Sequence, residues 1–261
     1  MAEELGLKSL VFYLLIFARI GGLVLQAPLF ASPHLNAPAK IGFIAAISLI
    51  LFFYLPLPEV SLDMGWIVFN LVKEFFIGMV MGYMSIIILN AIQGGGAVLD
   101  QQLGLSTGAS FDPQIGAVNM NSRFMFYFAF TIFIISGGFY LILEAIKFSF
   151  TIIPVAGYYY FGEKAVNSII DITSKFFYVG LHVVGAVVVA VFLGQVGLGL
   201  IARVAPQSNV FMLSFPVNFM IGIFVLSLII FSMYYLLVDN YFSVDFLGEL
   251  LANVLKNMAN K

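Results

Sequence analysis

The side chains that usually carry covalent or metal chemistry are nearly absent from this chain. It has no cysteine, which excludes disulfides, thiolate metal sites and cysteine nucleophiles. Its two histidines, His34 and His182, lie far apart and suggest no histidine-rich metal site. There is no GxxxxGK(S/T) phosphate loop, no HExxH and no carboxylate pair at a spacing suited to acid–base work. Gly94-Gly95-Gly96 does not follow a strand pattern, so it does not read as a nucleotide loop. The expectation is a protein that is not an enzyme, with no metal and no cofactor.

What remains is a set of charges lodged in apolar sequence. Arg19 lies near the middle of a run from Leu5 to Phe30, and Lys73 and Glu74 come early in a run from Trp66 to Ile92. Glu144 and Lys147 close a run from Phe124 to Ile146, and Arg203 closes one from Phe176 to Val204. Such charges at membrane depth face protein or water and carry function. Simpler readings exist for some of them. Lys73 and Arg203 sit near segment ends and could snorkel to an interface. Glu144 and Lys147 share a helical face in the favourable order, which suggests a structural pair worth about 0.2–0.5 kcal/mol in water. Arg19 is expected to pack against another helix or another subunit, and its partner cannot be named from sequence.

The elements that hold these charges follow from composition. The 261 residues are 62% hydrophobic and 9% charged, against about 45–50% and about 25% in soluble domains. Mean hydropathy is +1.08. So few charges cannot coat a water-facing surface, so the expected fold class is an all-α integral membrane protein. The net charge of −2 argues against a nucleic-acid surface and a polybasic lipid patch. Met1-Ala2-Glu3-Glu4 is acidic, unlike the start of a signal peptide, so the first run reads as a retained helix. Two more segments, Ala39 to Leu55 and Asn209 to Val238, bring the apolar runs to about six, before a short amphipathic tail to Lys261. The last two runs would each reach roughly 43 Å, beyond the roughly 30 Å of hydrocarbon. Only Ala205-Pro206-Gln207-Ser208 separates them, which predicts a long antiparallel helical hairpin. Lysine and arginine are spread too thinly to set an orientation, and no internal repeat is evident.

The stretch from Gln93 to Ser122 is rich in glycine, glutamine and asparagine, contains Asp100, Asp112 and Pro113, and is punctuated by Leu103, Leu105, Phe111, Ile115, Val118 and Met120. It reads as an irregular loop of about 30 residues, and such long loops are usually functional or disordered. Non-helical backbone at membrane depth survives only where it is buried in protein or lines an aqueous cavity. The stretch is therefore either a lumen element or an ordinary extramembrane loop. Gly78 and Gly82 form a GxxxG spacing suited to close helix packing.

Four groups of residues, in order along nearly the whole chain, resemble the FliR family of type III protein-export subunits. The first is Phe17-Ala18-Arg19-Ile20, Ala27-Pro28-Leu29-Phe30 and Pro38-Ala39-Lys40-Ile41-Gly42. The second is Lys73-Glu74 with Ile77-Gly78 and Gly82-Tyr83. The third is Gln101-Gln102-Leu103-Gly104-Leu105-Ser106 with Asp112-Pro113. The fourth is Ala205-Pro206-Gln207, Asn209-Val210-Phe211 and Phe215-Pro216. The chain departs from the family's usual pattern at Ser214, at Asn218 and at Gly137-Gly138-Phe139.

The resemblance implies a FliP-like part over residues 1–175 and a FliQ-like helical hairpin with tail over residues 176–261. It implies assembly with FliP-like and FliQ-like subunits, contact with FlhB-like and FlhA-like export components, and unfolded secreted chains as cargo. Location would be the bacterial inner membrane, within the flagellar basal body. Residues from about 104 to 122 resemble a plug that closes the pore, with Gly104, Leu105, Ser106, Phe111, Asp112, Pro113, Gly116 and Met120 as its candidate members. Arg19, Lys73, Glu74, Glu144, Lys147, Arg203, Pro206 and Gln207 are the candidate buried or subunit-packing residues, and sister subunits are expected to surround the embedded charges. A different class, a secondary transporter using Arg19 and a helix break at Gly94–Gly96 for a small solute, remains the alternative.

Overall fold

The computed structural model describes residues 2–30, 35–105, 119–157, 162–207, 209–242 and 244–259. Their regular structure is helical throughout: α1 (Ala2–Gln26), α2 (Ala37–Tyr54), α3 (Met64–Gln102), α4 (Met120–Ile135), α5 (Gly138–Ile152), α6 (Glu163–Val204), α7 (Val210–Asn240) and α8 (Val244–Ala259). Among the described residues, five helices are long and apolar enough to cross a membrane, or six if α4 and α5 count as one broken span. The chain is thus an all-α membrane protein. At about 1.5 Å per residue, α3 with 39 residues and α6 with 42 extend far beyond a hydrocarbon layer. The start of α6 explains its excess length: Glu163, Lys164, Asn167, Asp171 and Lys175 precede its apolar part.

The chain folds as two compact units. The first comprises Met1–Ile87, Gly137–Ile172 and Val244–Lys261, and the second comprises Ile88–Ser136 and Thr173–Ser243. In the first unit, α1 buries Phe12, Leu15, Ile16, Ile20, Leu23 and Val24 and leaves Leu5, Leu7, Leu10 and Leu14 exposed. That three-and-four spacing is the stripe of a helix with one face against protein. Gly22, Gly78 and Gly82 line its seam with α3. A Cβ on Gly22 would strike the Phe75 carbonyl, one on Gly78 the Arg19 carbonyl, and one on Gly82 the Leu23 carbonyl. Small residues bring membrane helices to backbone contact in this way.

Helix α2 starts where Asn36 accepts a hydrogen bond from the Ala39 N–H at 3.2 Å, with Pro38 in its first turn. It stops before Pro56, which disfavours helix in the residue ahead of it. Asn36→Ala removes that cap and is expected to cost about 1 kcal/mol, read as a small drop in the melting temperature of the purified protein. Helix α8 is amphipathic, as the tail's sequence suggests. It buries Leu250, Val254, Leu255 and Met258, packs on α5, and the Asn257 side-chain amide donates to the Ser168 hydroxyl at 2.7 Å.

In the second unit, α6 and α7 form the expected hairpin, with the Gly194 position against Ile221. Asn209 caps α7 by accepting from the Met212 N–H. Pro216 lies inside that helix and has no N–H to offer the Met212 carbonyl.

Two sequence expectations are corrected. Gly94-Gly95-Gly96 is not a break: α3 continues through it to Gln102, and α4 begins at Met120. Each glycine costs a helix about 0.8–1.0 kcal/mol relative to alanine, but packing offsets this. Gly95 abuts the Gly180 carbonyl, and Gly96 abuts the backbone of Asn121 and Ser122. The run Phe124 to Ile146 is not one helix either. It breaks at Ser136 and Gly137, where Gly137 takes a left-handed φ of +84° that only glycine adopts at no steric cost.

Candidate functional site

The first unit holds a buried polar network centred on Arg19 and Glu74. Both are almost fully buried, at 1% and 0% exposure. The apolar stripe of α1 brings Arg19 onto the face that meets α3, and the glycine seam sets the two backbones close enough to pair. Arg19 Nε donates to Glu74 Oε2 at 2.5 Å. Its Nη1 donates to the Ile153 carbonyl at 2.9 Å and to Ser149 Oγ at 3.4 Å. The guanidinium carbon lies 4.2 Å from the centre of the Phe150 ring. The other carboxylate oxygen, Glu74 Oε1, accepts the Ala156 N–H at 2.9 Å. Ala156 has a φ of +58°, a conformation that L side chains rarely adopt. Next along α3, Lys73 Nζ donates to the Gly157 carbonyl at 2.7 Å. Three adjacent charges thus tie the turn after α5 to α1 and α3.

Arg19 thus packs against another helix of the chain, one of the two placements expected for it: it pairs with Glu74 on α3, while its Nη2 has no hydrogen-bond partner among the described residues. A buried pair of this kind needs its remaining lone pairs and protons bonded, and the backbone of Ile153 and Ala156 does most of that. The expected Glu144–Lys147 pair does not form. Both residues are exposed on α5, and among the described residues the ion pairs are Arg19–Glu74 and the surface pair Glu4–Lys8. Two exposed side chains gain too little from pairing to hold one geometry. Arg203, Pro206 and Gln207 are exposed at the turn of the hairpin. Beside the network a groove of about 1020 Å³ is lined by residues that include Trp66, Phe69, Asn70 and Lys73.

The second unit holds another buried charge, Asp100, near the end of α3, at 0% exposure. Asp100 Oδ1 accepts the backbone N–H and the side-chain amide of Asn121, each at 3.0 Å, and Oδ2 accepts the Ser122 N–H at 3.0 Å. Ser122 Oγ donates to the Gln93 carbonyl at 3.1 Å. The first turn of α4 is therefore tied to the last turns of α3. On the departing side, the Gly104 N–H donates to the Gln101 carbonyl, and Gly104 has a left-handed φ of +76°. Leu105 is half-buried. Met120, read from sequence as part of the loop, is the first residue of α4 and is 66% exposed. Ser106, Phe111, Asp112, Pro113 and Gly116 lie outside the described residues.

Sequence reasoning found the charges of the first network but missed Ser149 and the backbone groups of Ile153 and Ala156, which complete it. It noted Asp100 without a role. The usable signal was Gly96 one turn before Asp100, which leaves room for the backbone of another helix. His182 is exposed beside Tyr178, and His34 lies outside the described residues. Among the described residues no cluster of three or more histidine, aspartate or glutamate side chains could hold a metal.

Comparison with known proteins places this architecture. The family described as bacterial export proteins, family 1, matches residues 10–243. The flagellar biosynthetic protein FliR of Bacillus subtilis is 29% identical over 249 residues, covering 93% of this chain and 94% of that protein. The surface presentation of antigens protein SpaR of Shigella sonnei is 26% identical over 182 residues, covering 69% of this chain and 68% of that protein. The Yop proteins translocation protein T of Yersinia pestis is 26% identical over 163 residues, covering 62% of each chain. The full-length match, together with the helical fold built on the Arg19 and Lys73-Glu74 motifs, establishes that this chain belongs to the bacterial export proteins of family 1, the FliR family.

Proposed function

We propose that this chain is the FliR-type core subunit of a flagellar type III export gate. In this reading it forms, with FliP-like and FliQ-like subunits, the channel through which unfolded flagellar proteins leave the cell, and it supplies a loop that closes the channel. The observation that carries the reading is the length of the matches. The Bacillus subtilis flagellar relative aligns over 94% of its own length, while SpaR and the Yop proteins translocation protein T align over 68% and 62% of theirs. It works as a structural part, in the bacterial inner membrane within the flagellar basal body. FlhA-like and FlhB-like export components are its further neighbours.

The distribution of apolar surface supports assembly with other subunits. In the most apolar windows of α6 and α7 only 39% and 22% of residues are buried within the chain. Phe177, Tyr178, Leu193, Leu200, Phe224 and Phe231 are among the large side chains left exposed. Lengths beyond the bilayer fit helices that project from it among sister subunits. In this reading residues 1–175 act as the FliP-like part and 176–261 as the FliQ-like hairpin.

The plug is assigned to the stretch read from sequence as about 104–122, less residues 120–122, which belong to α4. A short apolar segment in a narrow lumen blocks ions by excluding water, and glycine lets such a segment fold compactly and then move aside. The test is co-expression with FliP-like and FliQ-like subunits, a mass measurement of the complex, and ion conductance in planar bilayers. Wild type should assemble and stay tight. Deleting residues 106–118 and joining the ends with a short Gly-Ser linker should leave assembly intact and make the closed complex conduct. A tight deletion complex would remove the plug assignment. A chain that purifies as a monomer without partners would remove the gate reading.

A further inference from the structure

We propose that the groove at the start of α3 is a binding site for one phospholipid of the phosphatidylethanolamine class. Its ammonium lies toward Glu59, Trp66 and Asn70, and its phosphate toward Lys73. This site stands apart from the export-gate reading and needs only that the chain spans a membrane.

The groove, about 1020 Å³ in volume, lies wholly within the first unit. It is lined by the connection between α2 and α3, the first turns of α3 and Ala156. One lining residue offers an acceptor without a donor. Asn70 is 3% exposed. Its Nδ2 donates to the Trp66 carbonyl at 2.9 Å, and its Oδ1 receives no hydrogen bond among the described residues. An acceptor left unfilled at a buried residue is costly, so this oxygen calls for a donor arriving through the groove. Two opposite charges, Glu59 and Lys73, line the same groove. A simple anion is repelled by Glu59 and a simple cation by Lys73, whereas a zwitterion suits both. Lys73 Nζ donates to the Gly157 carbonyl and keeps its positive charge for a phosphate while doing so.

The order of residues along α3 matches the order of parts in a phospholipid. Trp66, Asn70, Lys73 and Phe76 follow at spacings of four, three and three, so they share one side of the helix. Trp66 is the single tryptophan of the chain and lies in the first turn of α3, and tryptophan favours the headgroup level of a bilayer. Passing inward from it, Asn70 suits an ammonium, Lys73 a phosphate, and Val72 and Phe76 an acyl chain. Phe69, Val72 and Phe76 are 68%, 64% and 37% exposed, which leaves apolar surface for that chain. The class of headgroup follows from the acceptors. A primary ammonium has N–H groups for Asn70 Oδ1 and the Glu59 carboxylate, and it is attracted to the face of an indole ring. The trimethylammonium of a choline lipid has no N–H to give, and a glycerol headgroup has no cation for Glu59.

The test uses the full chain, extracted from membranes in mild detergent with whatever subunits it carries. It is titrated with dioleoyl phosphatidylethanolamine, phosphatidylcholine or phosphatidylglycerol, and lipid retention is read by native mass measurement and by melting temperature. Wild type should retain the ethanolamine lipid about tenfold more strongly than the other two. Asn70→Leu should remove about tenfold of that affinity and leave retention of the choline lipid unchanged. Lys73→Met should weaken all three lipids, because each carries a phosphate. Should Lys73→Met fail to fold, Asn70→Leu still decides. No preference among headgroups in wild type, or a preference that survives Asn70→Leu, would overturn the site. A second arm places the photo-crosslinker p-benzoylphenylalanine at Phe69 and irradiates intact membranes. A lipid adduct on the chain supports the proposal, and a crosslink to a protein subunit in its place would show that a partner, not a lipid, fills the groove. Neither arm depends on ion conductance, so the export-gate reading and the lipid site stand or fall separately.

Discussion

Replacing Glu74 by glutamine is expected to destabilise the protein by about 3–5 kcal/mol, enough to remove most of it from membranes. The cost comes from what is left behind. Arg19 is 1% exposed, so without Glu74 its guanidinium is left without its carboxylate partner in a buried site. Glutamine keeps only one acceptor oxygen, so either Arg19 Nε or the Ala156 N–H then faces an NH2 donor in place of its acceptor. Arg19→Gln should cost a similar amount, because Glu74 is then the orphan. The double variant Arg19→Met with Glu74→Leu should cost less than either single change, since matched apolar groups remove the charge with its partner. Thermal unfolding of the purified complex and the steady-state level in membranes read this out. A double variant as unstable as the sum of the two singles would show that the charges do not depend on each other. Lys73 offers an internal comparison. It is half-buried at the edge of the network, and Lys73→Met should cost far less, about 1 kcal/mol.

The second large effect concerns the seam that lets this pair form. Gly78→Ala should destabilise by about 1–3 kcal/mol, and Gly78→Leu by more. The group that a Cβ would strike is the Arg19 carbonyl itself. Backbone inside a helix cannot rotate away, so α1 and α3 must separate, and the Arg19–Glu74 pair lengthens with them. The two defects are coupled, so Gly78→Ala combined with Glu74→Gln should cost less than the sum of the separate changes. Gly21 and Gly22 supply a matched control on adjacent residues. A Cβ on Gly22 meets the Phe75 carbonyl, and one on Gly21 meets nothing within 4 Å. Gly22→Ala should therefore resemble Gly78→Ala. Gly21→Ala should be neutral or should gain up to about 0.5–1 kcal/mol from helix propensity. Equal melting temperatures for the Gly21 and Gly22 variants would show that the seam does not constrain the packing.

The sequence alone determined the class of the protein and the approximate course of its helices. A chain with 62% hydrophobic and 9% charged residues has no soluble solution, and runs of spanning length can satisfy their backbone in lipid only as helices. The hairpin at Ala205–Ser208 and the amphipathic tail were legible for the same reason: short breaks and helical periodicity are local properties. Arg19 and Glu74 stood out as charges in apolar runs, but so did Glu144, Lys147 and Arg203, which are exposed, while buried Asp100 was noted without a role.

What those charges touch was decided by tertiary structure. Arg19 and Glu74 are 55 positions apart, and nothing local to either names the other. Their pairing depends on three glycines that bring two backbones into contact. The helix through Gly94–Gly96 was misread for a related reason. Propensity counts each glycine as a loss, while the gain comes from Gly180 and from Asn121 and Ser122, which lie far along the chain. Glu144 and Lys147, correctly spaced for a pair, stay apart because spacing permits a contact without supplying the burial that would make it worth keeping. The same holds for Asp100: its type and position were plain, but its role exists only once α4 has returned to meet it.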